Sequence, residues 1–183
     1  MKPRAPRRAK AVARPALAGL EVHIAWRGAK PWVSARVVRA AVAATLRLRR
    51  SKLRRLSIAF VGDREIARLH GEWLGDPAVT DVITFDLRPA PSRLRASSRS
   101  GADPLADDGP EAELVVGARH ARRVAAERGV PARRELVLYI VHGVLHLCGL
   151  DDHRPAERAA MRKAEAAVMK ALGHGVDAGE HDG

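Results

Sequence analysis

The residues best suited to chemistry lie between positions 142 and 153 of this 183-residue chain. His142 and His146 are four residues apart, so in an α-helix their imidazoles lie on one face and can converge on one ion. Gly149 can end that helix in a left-handed cap and turn the chain back. The returning segment brings three further candidate ligands towards the rings: Asp151, Asp152 and His153. Two imidazoles and one more ligand, with a position left for water, form the pattern of a catalytic zinc site.

The residue type directly after the first histidine distinguishes one class of zinc protease from other metal hydrolases. Zinc proteases with an H-E-x-x-H motif use the glutamate at that position as general base. Gly143 occupies it here, so a protease of that type is disfavoured. A metal ion at this place can still act as a Lewis acid and lower the pKa of a bound water.

The single cysteine, Cys148, lies inside the same segment. It follows His146 by two residues and therefore points from a different helix face, which predicts a small core residue rather than a ligand. One cysteine cannot form an internal disulfide, which fits a reducing cytoplasm. No apolar run approaches the ~20 residues of a membrane span, and the N-terminus lacks an apolar signal segment. We therefore expect a cytoplasmic protein without a membrane segment.

Alternating apolar residues predict four strands around the histidine segment. The third of them has apolar side chains on one face and mixed side chains on the other, which suits a central or near-edge position in a sheet. The strands are expected at about residues 20–26, 56–61, 80–87 and 113–116.

Apolar residues at helical spacing predict five helices. They are expected at about residues 34–50, in a short stretch after Asp63, and at 118–128, 132–148 and 156–172. The histidine helix has a core stripe of Leu136, Ile140, Val144 and Leu147. In the short helix, the residues predicted to face inward are Ile66, Leu69 and Trp73.

The net charge of +12 favours a polyanionic partner such as RNA. Positive charge is densest on the outer face of the helix at 34–50 and just beyond it, which we interpret as a phosphate-binding face. A merely solvated charged face is the alternative. The candidate RNA-binding residues are Arg36, Arg39, Arg47, Arg50 and Arg54.

Composition predicts one domain, at residues 19–172, with three flexible segments. Residues 1–18 carry six basic side chains and no acid, which is typical of a solvated tail. Residues 88–111 are rich in Pro, Ser, Arg and Asp and form a predicted insert within the domain. Residues 173–183 form a predicted C-terminal tail.

Two motifs resemble those of a known family. Residues 142–153, HGVLHLCGLDDH, resemble the H-G-x-L-H-L-x-G-x-D-H signature of the YbeY family of rRNA maturation factors. Residues 80–85, TDVITF, are similar to that family's T-D-V-L-S-F strand, and residues 113–116 fit its following strand. The resemblance covers about residues 20–172.

The resemblance implies an α+β fold, with a mixed four-stranded sheet, about four to five helices and a metal site on a helix-turn segment. It implies one zinc ion held by three histidines and an endoribonuclease that cuts single-stranded RNA. The implied role is rRNA 3′-end maturation and ribosome quality control on the small subunit. Ribosomal proteins or a GTPase are the candidate protein partners.

The chain departs from the family pattern at the third ligand. The family places its third histidine six residues after the second, where this chain has Asp152, and His153 follows one residue later. We expect His142, His146 and His153 to hold the zinc, because three imidazoles preserve the family's neutral ligand set. Asp152 then joins the two helix histidines as a candidate catalytic residue, and either Asp151 or Asp152 is the candidate group for proton transfer. The alternative is that the Asp152 carboxylate is itself the third ligand.

A second departure concerns a basic residue that the family often places six positions before its T-D-V motif. Leu74 stands there in this chain. The expected function is still a zinc-dependent endoribonuclease. The missing cation makes a non-catalytic, RNA-binding ribosome-assembly factor with a structural zinc the main alternative. A metal hydrolase of peptides is disfavoured by Gly143.

Overall fold

A four-stranded mixed sheet forms the centre of the protein. The computed structural model describes residues 19–28, 30–88 and 110–174. The strand order is β1-β2-β4-β3, in which β1 pairs with β2 and β2 with β4 in parallel, while β3 runs antiparallel to β4 at one edge. The strands are β1 (Glu21–Trp26), β2 (Arg55–Val61), β3 (Val82–Asp86) and β4 (Ala112–Gly117). The predicted mixed sheet of four strands is confirmed.

Five helices are described, in the places that the apolar spacing predicts. They are α1 (Ala35–Arg49), α2 (Asp63–Leu74), α3 (Ala118–Glu127), α4 (Ala132–Leu147) and α5 (Pro155–Ala171). The α+β fold class is therefore confirmed.

Both faces of the sheet are covered. Leu56, Ile58 and Phe60 of β2 belong to the main core with α1, α4 and α5, while Ala59 and Val61 belong to a smaller cluster with α2. Because side chains alternate along a strand, the two central strands are apolar on both sides. The helices that carry the candidate site therefore lie on the opposite face from α2.

Helix α4 is the most buried helix and contacts strands β3 and β4 as well as helices α1, α3 and α5. Its predicted core stripe is confirmed, since all four of those side chains are at most 4% exposed. His142 and His146 are only partly buried, so solvent reaches α4 on their face. Gly149, with φ of +83°, ends the turn after α4 as predicted. Its amide donates to the His146 carbonyl at 2.8 Å, and the Leu150 amide donates to the Leu145 carbonyl at 3.1 Å.

The prediction for Trp73 is wrong. Ile66 is fully buried and Leu69 packs on the smaller cluster, but the Trp73 side chain is 65% exposed. Trp73 lies in the last turn of α2, where it meets only the edge of the sheet, and its ring contacts Phe85 of β3 with centroids 5.4 Å apart. Trp73 has the helical spacing of an inward-facing residue, but the sheet surface against which α2 packs ends before the helix does.

The three segments predicted to be flexible lie largely outside the described residues. Residues 1–18, 89–109 and 175–183 are not described, so the predicted tails and insert stay predictions. The two ends of the insert are described, and there the Leu87 amide donates to the Glu111 carbonyl at 3.0 Å. Among the described helices, none combines the length and the apolar character needed to cross a membrane.

Candidate metal centre

The two histidines of α4 point their rings at the same place. Their Nε2 atoms are 3.0 Å apart, and the ring centroids are separated by 4.6 Å. Two ligands bound to zinc at about 2.0–2.1 Å in tetrahedral geometry lie roughly 3.3 Å apart. The spacing of His142 and His146 therefore suits one shared ion.

Asp152 completes a group of three ligand atoms with the histidines. One of its carboxylate oxygens, Oδ2, lies 3.6 Å from His142 Nε2, and the other, Oδ1, lies 3.9 Å from His146 Nε2. The three ligand atoms all lie within 4.8 Å of one another. These separations fit the size of a metal site, so the donor set suits a zinc ion.

His153, the expected third ligand, is not brought to the two helix histidines. Its side chain is 85% exposed, and its Nε2 lies 3.5 Å from Asp151 Oδ1. Arg158 of α5 holds this loop by donating to the carbonyls of Asp152, at 3.1 Å, and His153, at 2.8 Å. The turn after α4 therefore brings the Asp152 carboxylate to the two histidines, while the His153 imidazole lies at the cavity wall beyond that group.

Glu165 of α5 contacts the Nδ1 side of the His142 ring. His142 Nδ1 donates to Glu165 Oε1 at 2.6 Å, since a carboxylate can only accept. The residue is 8% exposed. The sequence contained one signal for this residue, a lone acid at helical spacing between the buried apolar residues Met161 and Val168. Sequence reasoning missed it.

The two histidines differ in their affinity for protons. Burial lowers the pKa of His142, but the hydrogen bond to Glu165 and the charges of Asp81, Glu165 and Asp152 outweigh burial and raise that pKa above its usual value. Burial and the neighbouring charge of His142 lower the pKa of His146. His142 is therefore the first of the two to take up a proton as the pH falls.

A cavity of about 700 Å³ opens beside the ligand atoms and is lined by His142 and Asp152. It also receives side chains from α3, α4, α5 and the segment before β3. Three of them are cations that suit phosphate groups. The cations are Arg128, Arg158 and Arg162, and the other polar groups include Asp81, Tyr139 and Glu165.

Thr80 and Asp81 lie in this cavity, so the second motif of the sequence reaches the histidines in space. Asp81 Oδ1 accepts from the Val82 amide at 2.7 Å and from the Thr80 hydroxyl at 3.1 Å. Burial, with the charges of Glu135 and Asp81, raises the pKa of the Tyr139 phenol well above its usual value. Tyr139 therefore stays neutral and can donate or accept a hydrogen bond.

The structure shows why no glutamate follows the first histidine. A Cβ atom on Gly143 would lie 2.9 Å from Leu114 Cδ2 and 3.0 Å from Val82 Cγ2. This position faces the sheet, while His142 faces the cavity. A side chain at position 143 would therefore meet the sheet and could not serve the metal as a base.

A second cavity, of about 360 Å³, lies on the side of His146. Arg49, at the end of α1, lines it together with Arg88 and Cys148. Burial raises the pKa of the Cys148 thiol, which keeps it protonated and makes it a poor metal ligand. Cys148 packs against the main core, as the sequence predicts.

The candidate RNA-binding arginines of α1 and its extension lie away from these two cavities. Arg36, Arg39, Arg50 and Arg54 are exposed and Arg47 is half-buried. No residue of this set lines either cavity, but Arg49 of the same helix does. The basic face thus reaches the His146 side of the site through a residue outside the predicted set.

Comparison with known proteins places the chain in a family. The family model described as Endoribonuclease YbeY matches residues 30–173. A protein named Endoribonuclease YbeY from Anaeromyxobacter sp. is 37% identical over 118 residues, which are 64% of this chain and 54% of that protein. One of the same name from Anaeromyxobacter dehalogenans is 36% identical over 140 residues, or 76% of this chain and 65% of that protein.

The chain spans between about half and two thirds of the length of these relatives. A solution structure of TM1509 from Thermotoga maritima has the same fold, with a TM-score of 0.51 and 18% identity. That likeness covers 88% of this chain and all of the other. Since the family match covers far more than half of the residues, the chain belongs to the YbeY endoribonuclease family.

Proposed function

We propose that the protein is a zinc-dependent endoribonuclease that cuts single-stranded RNA. The observation that carries the proposal is the meeting of His142, His146 and Asp152 at a cavity whose lining also contains arginines. Metal ligands and phosphate-binding cations in one cavity suit the hydrolysis of a phosphodiester. Membership of a family named for endoribonuclease activity supports the same reaction.

The proposed ligands are the two helix histidines and the Asp152 carboxylate. Two imidazoles and one carboxylate form an accepted ligand set for catalytic zinc, with one position left for water. Asp152 is preferred to His153 because of distance, since only the carboxylate lies beside both Nε2 atoms. His153 remains at the cavity wall, where an RNA strand would meet it.

A bound zinc ion supplies Lewis acidity and lowers the pKa of its water. The chain supplies the groups that hold the RNA and move protons. Arg128 and Arg162 line the cavity and are the proposed partners of RNA phosphates there. Asp81 is the second carboxylate in the cavity and is placed for proton transfer once Asp152 is engaged.

We propose rRNA as the cellular substrate, with 3′-end maturation and ribosome quality control in the cytoplasm as its roles. The net charge of +12 and the arginines of α1 support binding to a polyanion such as RNA. Ribosomal proteins or a GTPase are the proposed protein partners, as the family resemblance implies.

Chelation and metal replacement test the activity. Zinc-loaded protein is expected to cut a labelled single-stranded RNA, lose that activity after chelation, and regain it when zinc is added back. An RNA duplex of the same sequence serves as the matched substrate and is expected to be cut far more slowly. Cleavage that survives complete removal of metal would refute the proposal.

One observation favours a second function. Leu74, at the place of the family's basic residue, is 63% exposed and carries no charge for a phosphate. A ribosome-assembly factor that binds RNA through a structural zinc domain would show salt-sensitive binding without turnover. Tight binding of rRNA fragments with no cleavage under any metal condition would favour this function.

A further inference from the structure

Glu165 is a buried acid without an obvious structural reason. Its neighbours along the buried face of α5 are apolar: Met161, Val168 and Met169. A carboxylate in such a place is costly to desolvate unless it is hydrogen-bonded or paired. The described contact that compensates it is the 2.6 Å hydrogen bond with His142 Nδ1.

The hydrogen bond with Glu165 selects one tautomer of the neutral His142 ring. A carboxylate cannot donate, so the hydrogen bond requires a proton on Nδ1. In the neutral ring, the lone pair then lies on Nε2, the atom that faces Asp152 and His146. The ring is also fixed in rotation, because Nδ1 is held from α5 while Nε2 faces the ligand group.

We propose that Glu165 is a positioning residue for the metal, which holds His142 with its Nε2 lone pair directed at the ion. This inference rests on the proposed metal site and extends it by one residue. It also assigns α5 a role, since that helix supplies Glu165 from behind the histidine and follows directly on the loop that presents Asp152. Carboxylates that orient a ligating histidine act through the ligand and do not touch the ion.

The test measures zinc affinity in the absence of RNA, by competition with a chromophoric chelator. Glu165→Ala is expected to weaken zinc binding about 10–100-fold, the usual effect of removing such a partner. Glu165→Gln is expected to recover much of that loss, because the amide oxygen can still accept from Nδ1. A Glu165→Ala protein that binds zinc as tightly as wild type would overturn the proposal.

A second buried carboxylate provides the matched control. Glu135 of α4 is 1% exposed and pairs with Arg128 at 3.1 Å, so its compensating partner is a cation and not a histidine. Glu135→Gln is expected to leave zinc affinity within about threefold of wild type, whatever it does to folding stability. Equal weakening by Glu135→Gln and Glu165→Ala would show a general packing effect and overturn the proposal.

A spectroscopic measurement separates this inference from the nuclease itself. Nitrogen-15 NMR of the imidazoles in metal-free protein, at a pH where His142 is neutral, is expected to show its proton on Nδ1. In Glu165→Ala the proton is expected to redistribute towards Nε2. The same proton position in both proteins would contradict the inference. This outcome is independent of cleavage, so an inactive wild type would refute the proposed function and leave the role of Glu165 standing.

Discussion

The identity of the proposed third metal ligand depends on the length of one turn. After Gly149 the chain needs only three residues to return to the histidines, and the side chain that arrives is Asp152. His153 is the next residue, and its side chain lies at the cavity wall, 85% exposed and outside the group that Asp152 forms with the two histidines. A shift of one residue therefore exchanges an imidazole for a carboxylate, and the site gains a negative charge.

Counting zinc in two single variants tests this ligand assignment. Asp152→Ala is expected to lose bound zinc, since one of three protein ligands disappears and affinity falls by at least an order of magnitude. His153→Ala is expected to retain about one zinc per chain. Metal analysis after gel filtration measures both. Loss of zinc from His153→Ala alone would restore the imidazole as the third ligand.

Zinc binding should weaken in acid, with His142 as the first group to respond. Its pKa is raised above the usual value by Glu165 and nearby acids, so protons compete for it at a higher pH than for an ordinary histidine. His146, whose pKa is lowered, becomes protonated only in more acidic solution. Zinc affinity is expected to fall by roughly tenfold per pH unit at first and more steeply once both rings compete. Titration calorimetry across pH measures this, and a flat profile from pH 8 to pH 5 would contradict it.

Helix α4 positions the site because the sheet fixes its rotation. Gly143 lies against Leu114 of β4 and Val82 of β3, which lets the helix pack closely and turns His142 and His146 away from the sheet. A larger residue would separate helix and sheet or rotate the histidines. Gly143 is thus needed for the close packing of α4 against the sheet.

Gly143→Ala is expected to destabilise the protein by ~1–3 kcal/mol, because its Cβ would meet the sheet at 2.9 Å. Gly71→Ala in α2 is the matched control. A Cβ there would sit at an ordinary 3.5 Å from Pro77, so alanine is expected to be neutral or stabilising by up to ~1 kcal/mol. Chemical denaturation measures both variants. Equal stability of the two would contradict the packing argument.

The elements could be predicted from the sequence because burial imposes a period on the residues. The core stripe of α4 and the four strands are of this kind. The cap at Gly149 is predictable for another reason, because glycine adopts positive φ without strain. Trp73 shows the limit, since period alone does not say where the partner surface ends. Contacts between distant elements, such as that of Glu165 with His142, depend on how α5 docks and leave only a weak local signal. The identity of the proposed third ligand could not be predicted from the sequence, because it depends on the geometry of the turn after α4.

In the molecule as a whole, α1 carries the basic face and α4 carries the two histidines of the proposed metal site. The basic outer face of α1 ends at Arg49, which lines the cavity beside His146. The larger cavity lies on the side of His142 and Asp152 and contains arginines of its own. An RNA strand that follows the positive charge from α1 would therefore pass the ligand group.

Salt dependence of RNA binding tests this path. Replacing Arg36, Arg39 and Arg50 by glutamine is expected to weaken single-stranded RNA binding and to reduce the slope of log affinity against log salt by roughly 2, at about 0.7 per lost phosphate contact. The control variant replaces the exposed Arg64 and Arg68 of α2, on the other side of the sheet. Fluorescence anisotropy at several salt concentrations measures the slopes. Equal slopes for wild type and the α1 variant would exclude the basic face of α1 as an RNA-binding surface.

Cleavage of a single-stranded RNA by the zinc-loaded protein and by His142→Ala, purified identically, tests the central claim most directly. His142 is a proposed ligand, since its Nε2 lies 3.0 Å from that of His146 and its Nδ1 is held by Glu165, so its replacement is expected to abolish metal binding. We predict that wild type cuts the RNA and that His142→Ala, although folded, cuts at least ~100-fold more slowly. Equal cleavage by the two proteins would contradict the account, since the activity would then not arise at this site.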